Sequence, residues 1–316
     1  MRVVFMGTPD FAVKSASAIK SAGHDIRAVF TQPDKPKNRG KQIATSPVKD
    51  FAAENGIAVY QPLSLRKGED AEKSLSILKE LAPDVIVVVA YGQILPKAVL
   101  ELPEFGCVNV HASLLPEYRG AAPIQRCIQD GAPRSGVWTM RMDEGLDTGD
   151  VIMRREVDIP GDMTGSQLWE RLSGVGAELI CETLSALENG TAVFTKQPAE
   201  GTYAKMISKE ELRLDFTKPA KDVYNFIRAM ADVPCAYTVL PDGKRLKVCR
   251  ARLSESKSEQ ISELAAGTVA DERTLSVVCG DRNCVEFAEV QPEGGKRMTT
   301  DAFLRGKKID KGTVLK

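Results

Sequence analysis

Asn109 and His111 stand two residues apart in the apolar run Cys107-Val108-Asn109-Val110-His111. On a β-strand that spacing sends both side chains to the same face. A carboxamide can donate to an oxygen that is gaining negative charge, and an imidazole exchanges protons near neutral pH, so the pair suits acyl transfer. The bland alternative is a hydrogen-bonded histidine at a strand end, because spacing without geometry does not separate the two. A third group sits in the glycine-punctuated acidic segment Asp143-Glu144-Gly145-Leu146-Asp147-Thr148-Gly149-Asp150. Asp-rich turns commonly bond their own backbone, and this one lacks the ligand spacing of a calcium loop. Folded toward the end of the Asn109 strand, one of its carboxylates would orient His111.

The other histidine, His24, falls in the loop Ala22-Gly23-His24-Asp25 and reads as solvated. Two histidines without a cysteine cluster give too few ligands for zinc, so metal-independent chemistry is expected. The first strand-to-helix turn carries Gly7 alone, with neither G-x-G-x-x-G nor G-x-x-x-x-G-K-[ST]. Neither a dinucleotide nor a phosphate-loop nucleotide site is expected.

The elements that must position these residues follow from periodicity. Strands are expected at Arg2 to Met6, Ile26 to Thr31, Ala58 to Tyr60, Val85 to Ala90, Cys107 to His111 and Val137 to Met142. Helices are expected at Phe11 to Ala22, Val48 to Asn55, Ala71 to Leu81 and Ser166 to Asn189. Val/Ile runs alternating with helices indicate an α/β domain with a doubly wound, Rossmann-like parallel sheet covered on both faces. Its ligands belong at the carboxyl ends of the strands, where His111 lies. Residues 190–206 carry Gly, Pro and Thr without clear periodicity and read as a linker after a catalytic domain of 1–189. A helix at Pro219 to Ala231 and five short strand-like segments between Ala236 and Val290 then suggest a smaller OB-like β-barrel over 207–316.

With 316 residues, two domains are the natural expectation. The 43 basic residues cancel the 43 acidic ones, so net charge names no partner and any nucleic-acid contact must come from local basic patches. Seven cysteines, at 107, 127, 181, 235, 249, 279 and 284, form no C-x-x-C pair and cannot all be paired. Reduced thiols in a cytoplasmic protein are the simplest reading. The longest apolar run, Val85 to Tyr91, is far short of the roughly 20 residues of a membrane helix. Neither a signal peptide nor a membrane span is expected.

The continuous segment Asn109-Val110-His111-Ala112-Ser113-Leu114-Leu115-Pro116-Glu117-Tyr118-Arg119-Gly120-Ala121-Ala122-Pro123-Ile124-Gln125 resembles the signature of the formyltetrahydrofolate-dependent formyltransferases. Further segments resemble the branch acting on methionyl-tRNA, among them Gly7-Thr8-Pro9-Asp10-Phe11, Arg39-Gly40-Lys41, Gly145-Leu146-Asp147-Thr148-Gly149-Asp150 and Thr202-Tyr203-Ala204. The resemblance runs from about residue 2 to 250 and remains plausible beyond. It implies that Asn109, His111 and Asp147 are a catalytic trio and that Ser113, Leu114, Leu115 and Pro116 form part of a folate site. It implies transfer of the formyl group of 10-formyltetrahydrofolate to the α-amine of initiator methionyl-tRNA, with no obligate protein partner evident. In that family a loop inserted after the second strand meets the acceptor stem, and here it would span Gln32 to Pro47 with Lys35, Lys37, Arg39 and Lys41. Without the resemblance the default for such a charge run is a solvated surface loop. Residues 207–316 hold 20 basic and 17 acidic side chains, with Lys244, Arg245, Lys247, Arg250 and Arg252 along one hairpin. Asp232-Val233-Pro234-Cys235-Ala236 departs from the turn the family leads one to expect. Two rivals remain: a sister formyltransferase acting on an amino-sugar nucleotide, and a non-catalytic RNA-binding protein that keeps the α/β domain as scaffold.

Overall fold

The computed structural model describes residues 1–36, 43–254 and 263–316. Along the chain run β1 (Arg2–Gly7), α1 (Asp10–Ser21), β2 (Asp25–Phe30), β3 (Lys35–Pro36), β4 (Ile43–Ala44), α2 (Pro47–Glu54), β5 (Ala58–Tyr60), α3 (Glu69–Leu81) and β6 (Val85–Val89). There follow α4 (Lys97–Leu100), β7 (Cys107–His111), β8 (Arg119–Gly120), α5 (Pro123–Gln129), β9 (Arg134–Arg141), β10 (Val151–Asp158), α6 (Gly165–Glu188) and β11 (Tyr203–Ala204). The remainder comprises α7 (Ala220–Ala229), β12 (Ala236–Val239), β13 (Arg245–Ser254), β14 (Val269–Asp271), β15 (Ser276–Val278), β16 (Cys284–Pro292), β17 (Met298–Thr299) and α8 (Thr300–Gly306).

The chain divides into two compact units, the first holding 1–120, 135–157 and 169–203, the second 121–134, 158–168 and 204–316. In the first unit a seven-stranded sheet has the order β10-β9-β7-β6-β1-β2-β5. Every residue of β6 and β7 is buried, as is all of β1 after Arg2. Burial on both faces is what a central parallel strand requires, and it explains the unbroken Val/Ile runs. β1 lies parallel to both β2 and β6, and β6 parallel to β7. The sheet is not parallel throughout, because β9 runs antiparallel to β7. Parallel neighbours need a crossover over the sheet, and the only helix between these two strands, α5, groups with the second unit. After β1 the chain builds outward through β2 and β5, then returns to the other side of β1 with β6. The reversal places the switch point, where open α/β sheets receive ligands, at the carboxyl ends of β1 and β6.

Residues 190–206, expected as a linker, are tied to the first unit over much of their length. Thr195 and Val151 exchange both backbone hydrogen bonds at 2.8 Å, and the Arg119 amide donates to the Thr202 carbonyl at 2.9 Å.

In the second unit β12-β13-β16-β15-β14 form an antiparallel sheet, with β17 paired to β16. The strand segments anticipated there as a small barrel are all present. Helix α7 packs on β13, β16 and α5. Its buried Arg228 donates to the carbonyls of Met163 (2.9 Å) and Ile128 (3.4 Å). A buried guanidinium must satisfy its donors, which draws 121–134 and 158–168 out of the sequential domain plan and into this unit.

The unexpected turn at Asp232 is the anchor of a charge network. Asp232 adopts φ +71°, and its carboxylate accepts from Ser166 (2.5 Å), Arg297 (2.5 Å) and Arg250 (3.2 Å). Burial alone would raise this carboxyl, but the hydrogen bonds from Ser166, Arg297 and Arg250 outweigh it and pull it down to about 2. The folded value therefore lies below the unfolded one of about 3.9, so the stabilisation is complete above that value and is lost as pH falls through about 2. Thermal unfolding between pH about 4 and about 2 should show a fall in Tm that is shallower in Asp232→Asn, which keeps the left-handed backbone but has no charge to lose. The variant should also melt lower than the parent at neutral pH, and equal acid slopes would remove Asp232 from this role.

Candidate active site

Asn109 and His111 leave β7 on one face, as the spacing predicts. Register places Asn109 between Val88 of β6 and Met140 of β9, and His111 opposite Trp138. Both polar side chains are buried, 9% and 6% exposed. Asp147, 38 residues beyond Asn109 in the chain, arrives at the same place: its Oδ1 lies 3.5 Å from Asn109 Nδ2 and its Oδ2 3.7 Å from His111 Nδ1.

The carboxylate is held from behind. The Gly120 amide donates to Oδ2 at 2.7 Å, and Gly120 itself takes φ +108°, which glycine adopts without a Cβ penalty. Asp147 has φ +55°, a conformation Asp tolerates better than most residues. Gln197 fixes that conformation by donating to the carbonyls of Asp147 (3.0 Å) and Gly149 (2.8 Å). Gly149 is required for a different reason, since a Cβ there would collide with the Arg141 carbonyl.

The imidazole is oriented by its far nitrogen. His111 Nε2 lies 3.1 Å from the Tyr118 carbonyl. A carbonyl only accepts, so Nε2 bears the hydrogen, and Nδ1 is the nitrogen left to exchange a proton beside Asp147.

Ser113, Leu114, Leu115 and Pro116 follow directly on this strand and form a tight turn. Ser113 Oγ donates to the Glu117 carbonyl (2.6 Å), the Glu117 amide to Leu114 (2.9 Å), and the Thr202 amide to Pro116 (3.2 Å). The first two bonds close the turn on itself, the third ties it to Thr202, and Leu115 is buried. Leu114 lies over Gly136, where a Cβ would come within 2.5 Å of its Cδ2. The turn thus offers a half-exposed apolar wall at Leu114 and Pro116.

At the neighbouring strand ends Thr8 Oγ1 (3.0 Å) and Gln32 Nε2 (3.2 Å) both donate to the Tyr91 carbonyl, joining β1, β2 and β6 at the switch point. Burial pushes the Tyr91 phenol above its ordinary value, so it stays neutral.

The family model for formyl transferase matches residues 1–184, and that for the formyl transferase C-terminal domain matches 206–308. A methionyl-tRNA formyltransferase of Lachnospira eligens is 48% identical over 319 residues, covering 100% of this chain and 99% of its own length. One from Mesorhizobium japonicum is 46% identical over 319 residues, covering 99% of this chain and 98% of its own. The chain belongs to the methionyl-tRNA formyltransferase family.

Solved structures share the fold at lower identity. An N-formyltransferase from Helicobacter canadensis, in complex with folinic acid and dTDP-3-aminofucose, superposes with TM-score 0.65 at 19% identity, over 90% of this chain and 98% of that one. HypX from Aquifex aeolicus in complex with tetrahydrofolic acid gives TM-score 0.65 at 18% identity, over 99% of this chain but only 50% of its own.

Within this formyltransferase frame, Lys35 lies on β3, paired in register with Ala44. Lys37, Arg39 and Lys41 lie outside the described residues. The base of their loop is clamped. Asp34, its only acidic residue, accepts from Lys49 Nζ (2.5 Å) and Gln61 Nε2 (2.7 Å), and the Lys49 bond chiefly holds its carboxyl below the usual range. Among the described residues no group of three His, Cys, Asp or Glu is placed to hold a metal ion. No described helix is long and apolar enough to cross a membrane.

Sequence reasoning missed Gly120, Gln197 and Arg119. The buried Arg119 guanidinium donates to Gln197 Oε1 (3.0 Å) and the Pro198 carbonyl (2.9 Å), fixing the amide that fixes Asp147. Gly120 and Arg119 lie inside the signature run, but nothing about Gln197 in sequence marks it out. Gln197→Ala should take a donor from two carbonyls and one acceptor from the Arg119 guanidinium, which keeps Pro198, at a cost of about 1–3 kcal/mol, and release the Asp147 backbone. The expected outcome is a lower Tm with kcat reduced more than KM. Unchanged kcat in a folded variant would show that the Asp147 loop holds its shape without it.

Proposed function

We propose that the chain transfers the formyl group of 10-formyltetrahydrofolate to the α-amino group of methionyl-tRNA, giving the formylated initiator. The observation that carries this reading is the convergence of Asn109, His111 and Asp147 at the end of β7 in a chain 48% identical along its whole length to a methionyl-tRNA formyltransferase. The formyl donor supplies an amide-like carbonyl carbon, whose oxygen gains charge when an amine adds to it.

Asn109 would donate its Nδ2–H to that oxygen, a contact stronger in the transition state than in the ground state. Its 3.5 Å contact with Asp147 is long enough to be exchanged for a better acceptor. His111, with Nε2–H committed to the Tyr118 carbonyl, would take or return the amine proton through Nδ1. Asp147 would stabilise the imidazolium so formed and keep its ring in plane. The apolar wall at Leu114, with the Ser113-to-Pro116 turn behind it, fits the flat heteroaromatic ring of the folate. Residues 1–189 would form the catalytic domain. Residues 207–316 and the loop with Lys35, Lys37, Arg39 and Lys41 would contact the tRNA in the cytoplasm, where initiation takes place.

The amino-sugar reading rests on fold neighbours such as the Helicobacter canadensis enzyme at 19% identity, against 43–48% for methionyl-tRNA formyltransferases along the full chain. A direct competition decides between them. With 10-formyltetrahydrofolate present, methionyl-tRNA should be formylated and a dTDP-amino sugar should not. Asn109→Ala and His111→Ala should each retain a wild-type Tm, the first losing about 10²–10³-fold in kcat, the usual cost of one oxyanion donor, and the second about 10²–10⁴-fold, the usual worth of a general acid–base group. Near-normal turnover in either would assign the chemistry elsewhere.

The basic loop has its own test. Phosphate contacts release counterions, so apparent affinity for methionyl-tRNA should fall steeply with salt, and Arg39→Ala should weaken it and flatten the slope. Arg39→Lys should restore part of the loss, because ammonium reproduces the charge but not the bidentate geometry. A folate KM that moves as much as the tRNA KM would rule the loop out as the tRNA contact.

A further inference from the structure

Cys235 and Cys249 lie in the second unit and take no part in the trio or its supports. In the β12–β13 hairpin Ala236 stands opposite Val248 and Tyr237 opposite Lys247. One step further along that register sets Cys235 opposite Cys249. Their Sγ atoms are 3.4 Å apart. A disulfide bond is about 2.05 Å long, so about 1.4 Å of approach separates contact from bond.

The remaining cysteines are placed differently. Cys235 closes the surface turn Asp232–Cys235 with φ +62°, and although it is itself only 3% exposed, Val233 two residues earlier in the turn is 82% exposed. The hydrogen bond shared with Cys249, aided by the positive charges of Lys247 and Arg297, holds the Cys235 thiol below the ordinary range. Burial pushes Cys107 and Cys279 up to about 12 and raises Cys181 and Cys284. Thiolate character helps select which cysteine reacts and favours Cys235; Cys181 is the more accessible thiol but has no second cysteine against it among the described residues.

We propose that Cys235 and Cys249 form a dithiol–disulfide site, closed by exchange with a low-molecular-weight disulfide and reopened by the corresponding thiol. The Cys235 thiolate attacks one sulfur of the oxidant, forming a mixed disulfide and releasing one thiolate. Cys249 then gives up its proton and attacks Cys235 Sγ, expelling the second thiol. Two cysteine thiols lose two electrons, and one oxidant disulfide becomes two thiols. The new bond crosses the hairpin next to Asp232, whose carboxylate gathers Ser166, Arg250 and Arg297. Closing it constrains the unfolded chain and should stabilise this unit.

The test uses the full chain equilibrated with oxidised glutathione, alkylated under denaturing conditions and mapped by peptide mass. The expected result is loss of two of the seven alkylatable thiols, a linked peptide pair carrying positions 235 and 249, a Tm raised by several degrees, and full reversal by reduced glutathione. Cys249→Ala should stop at a glutathione adduct on Cys235, and Cys235→Ala should leave Cys249 unmodified. The wild-type mapping stands by itself if either variant fails to fold. A lasting glutathione adduct on Cys235 in the wild type, a link between Cys279 and Cys284 in place of this one, or seven alkylatable thiols after equilibration would overturn the proposal.

Discussion

The 2.7 Å hydrogen bond from the Gly120 amide to the Asp147 carboxylate joins two segments that sequence keeps apart. It ties the Asp147 loop to the turn after β7, and so to the strand that carries Asn109 and His111. Bonds to charged groups contribute about 1.5–3 kcal/mol, while a non-glycine residue held at positive φ costs of order 1–3 kcal/mol. One bond roughly offsets the Asp147 conformation and leaves nothing to rigidify it. The two donors of Gln197 and the Arg119 guanidinium behind them supply the surplus. Asp147 is therefore positioned by a chain of polar contacts through Gly120, Gln197 and Arg119.

The sheet explains why that chain converges where it does. Reversal of strand order about β1 opens the carboxyl ends of β1 and β6, and the Tyr91 carbonyl, shared by Thr8 and Gln32, closes the floor there. β7 is the next strand over, so His111 at its carboxyl end borders this opening. The antiparallel return of β9 sets Met140 and Trp138 directly against Asn109 and His111. An all-parallel arrangement would have staggered those pairs. The same return brings the acidic loop off the end of β9 to the correct edge of the sheet.

The second unit solves a different problem. Its turn at Asp232 leaves Val233 exposed and is held by charge instead: Asp232 collects one hydroxyl and two guanidinium groups from three separate segments. The departure of Asp232–Ala236 from the family's turn is thus offset locally by the network around Asp232, and Asn109, His111 and Asp147 lie in the first unit.

The α/β class, the main strands and helices apart from β10, α5 and α8, and the shared face of Asn109 and His111 are legible in the sequence because each rests on period or residue type, whereas Asp147 is singled out by the family resemblance. The Val/Ile runs of β1 and β6 announce burial on both faces, and the step of two from Asn109 to His111 fixes a shared face whatever the rest of the chain does. The antiparallel turn of β9 is not legible, because strand direction depends on where an intervening helix packs, and α5 has the same periodicity in either unit. Nor is Gln197, an unremarkable polar residue in a stretch read as linker, whose role exists only once Thr195 and Thr202 are bonded back onto the first unit. Residue types and local spacing state which groups are able to react. Which nitrogen of His111 is left free, and what holds Asp147 against it, are set by contacts between residues tens of positions apart, and those exist only in the folded chain.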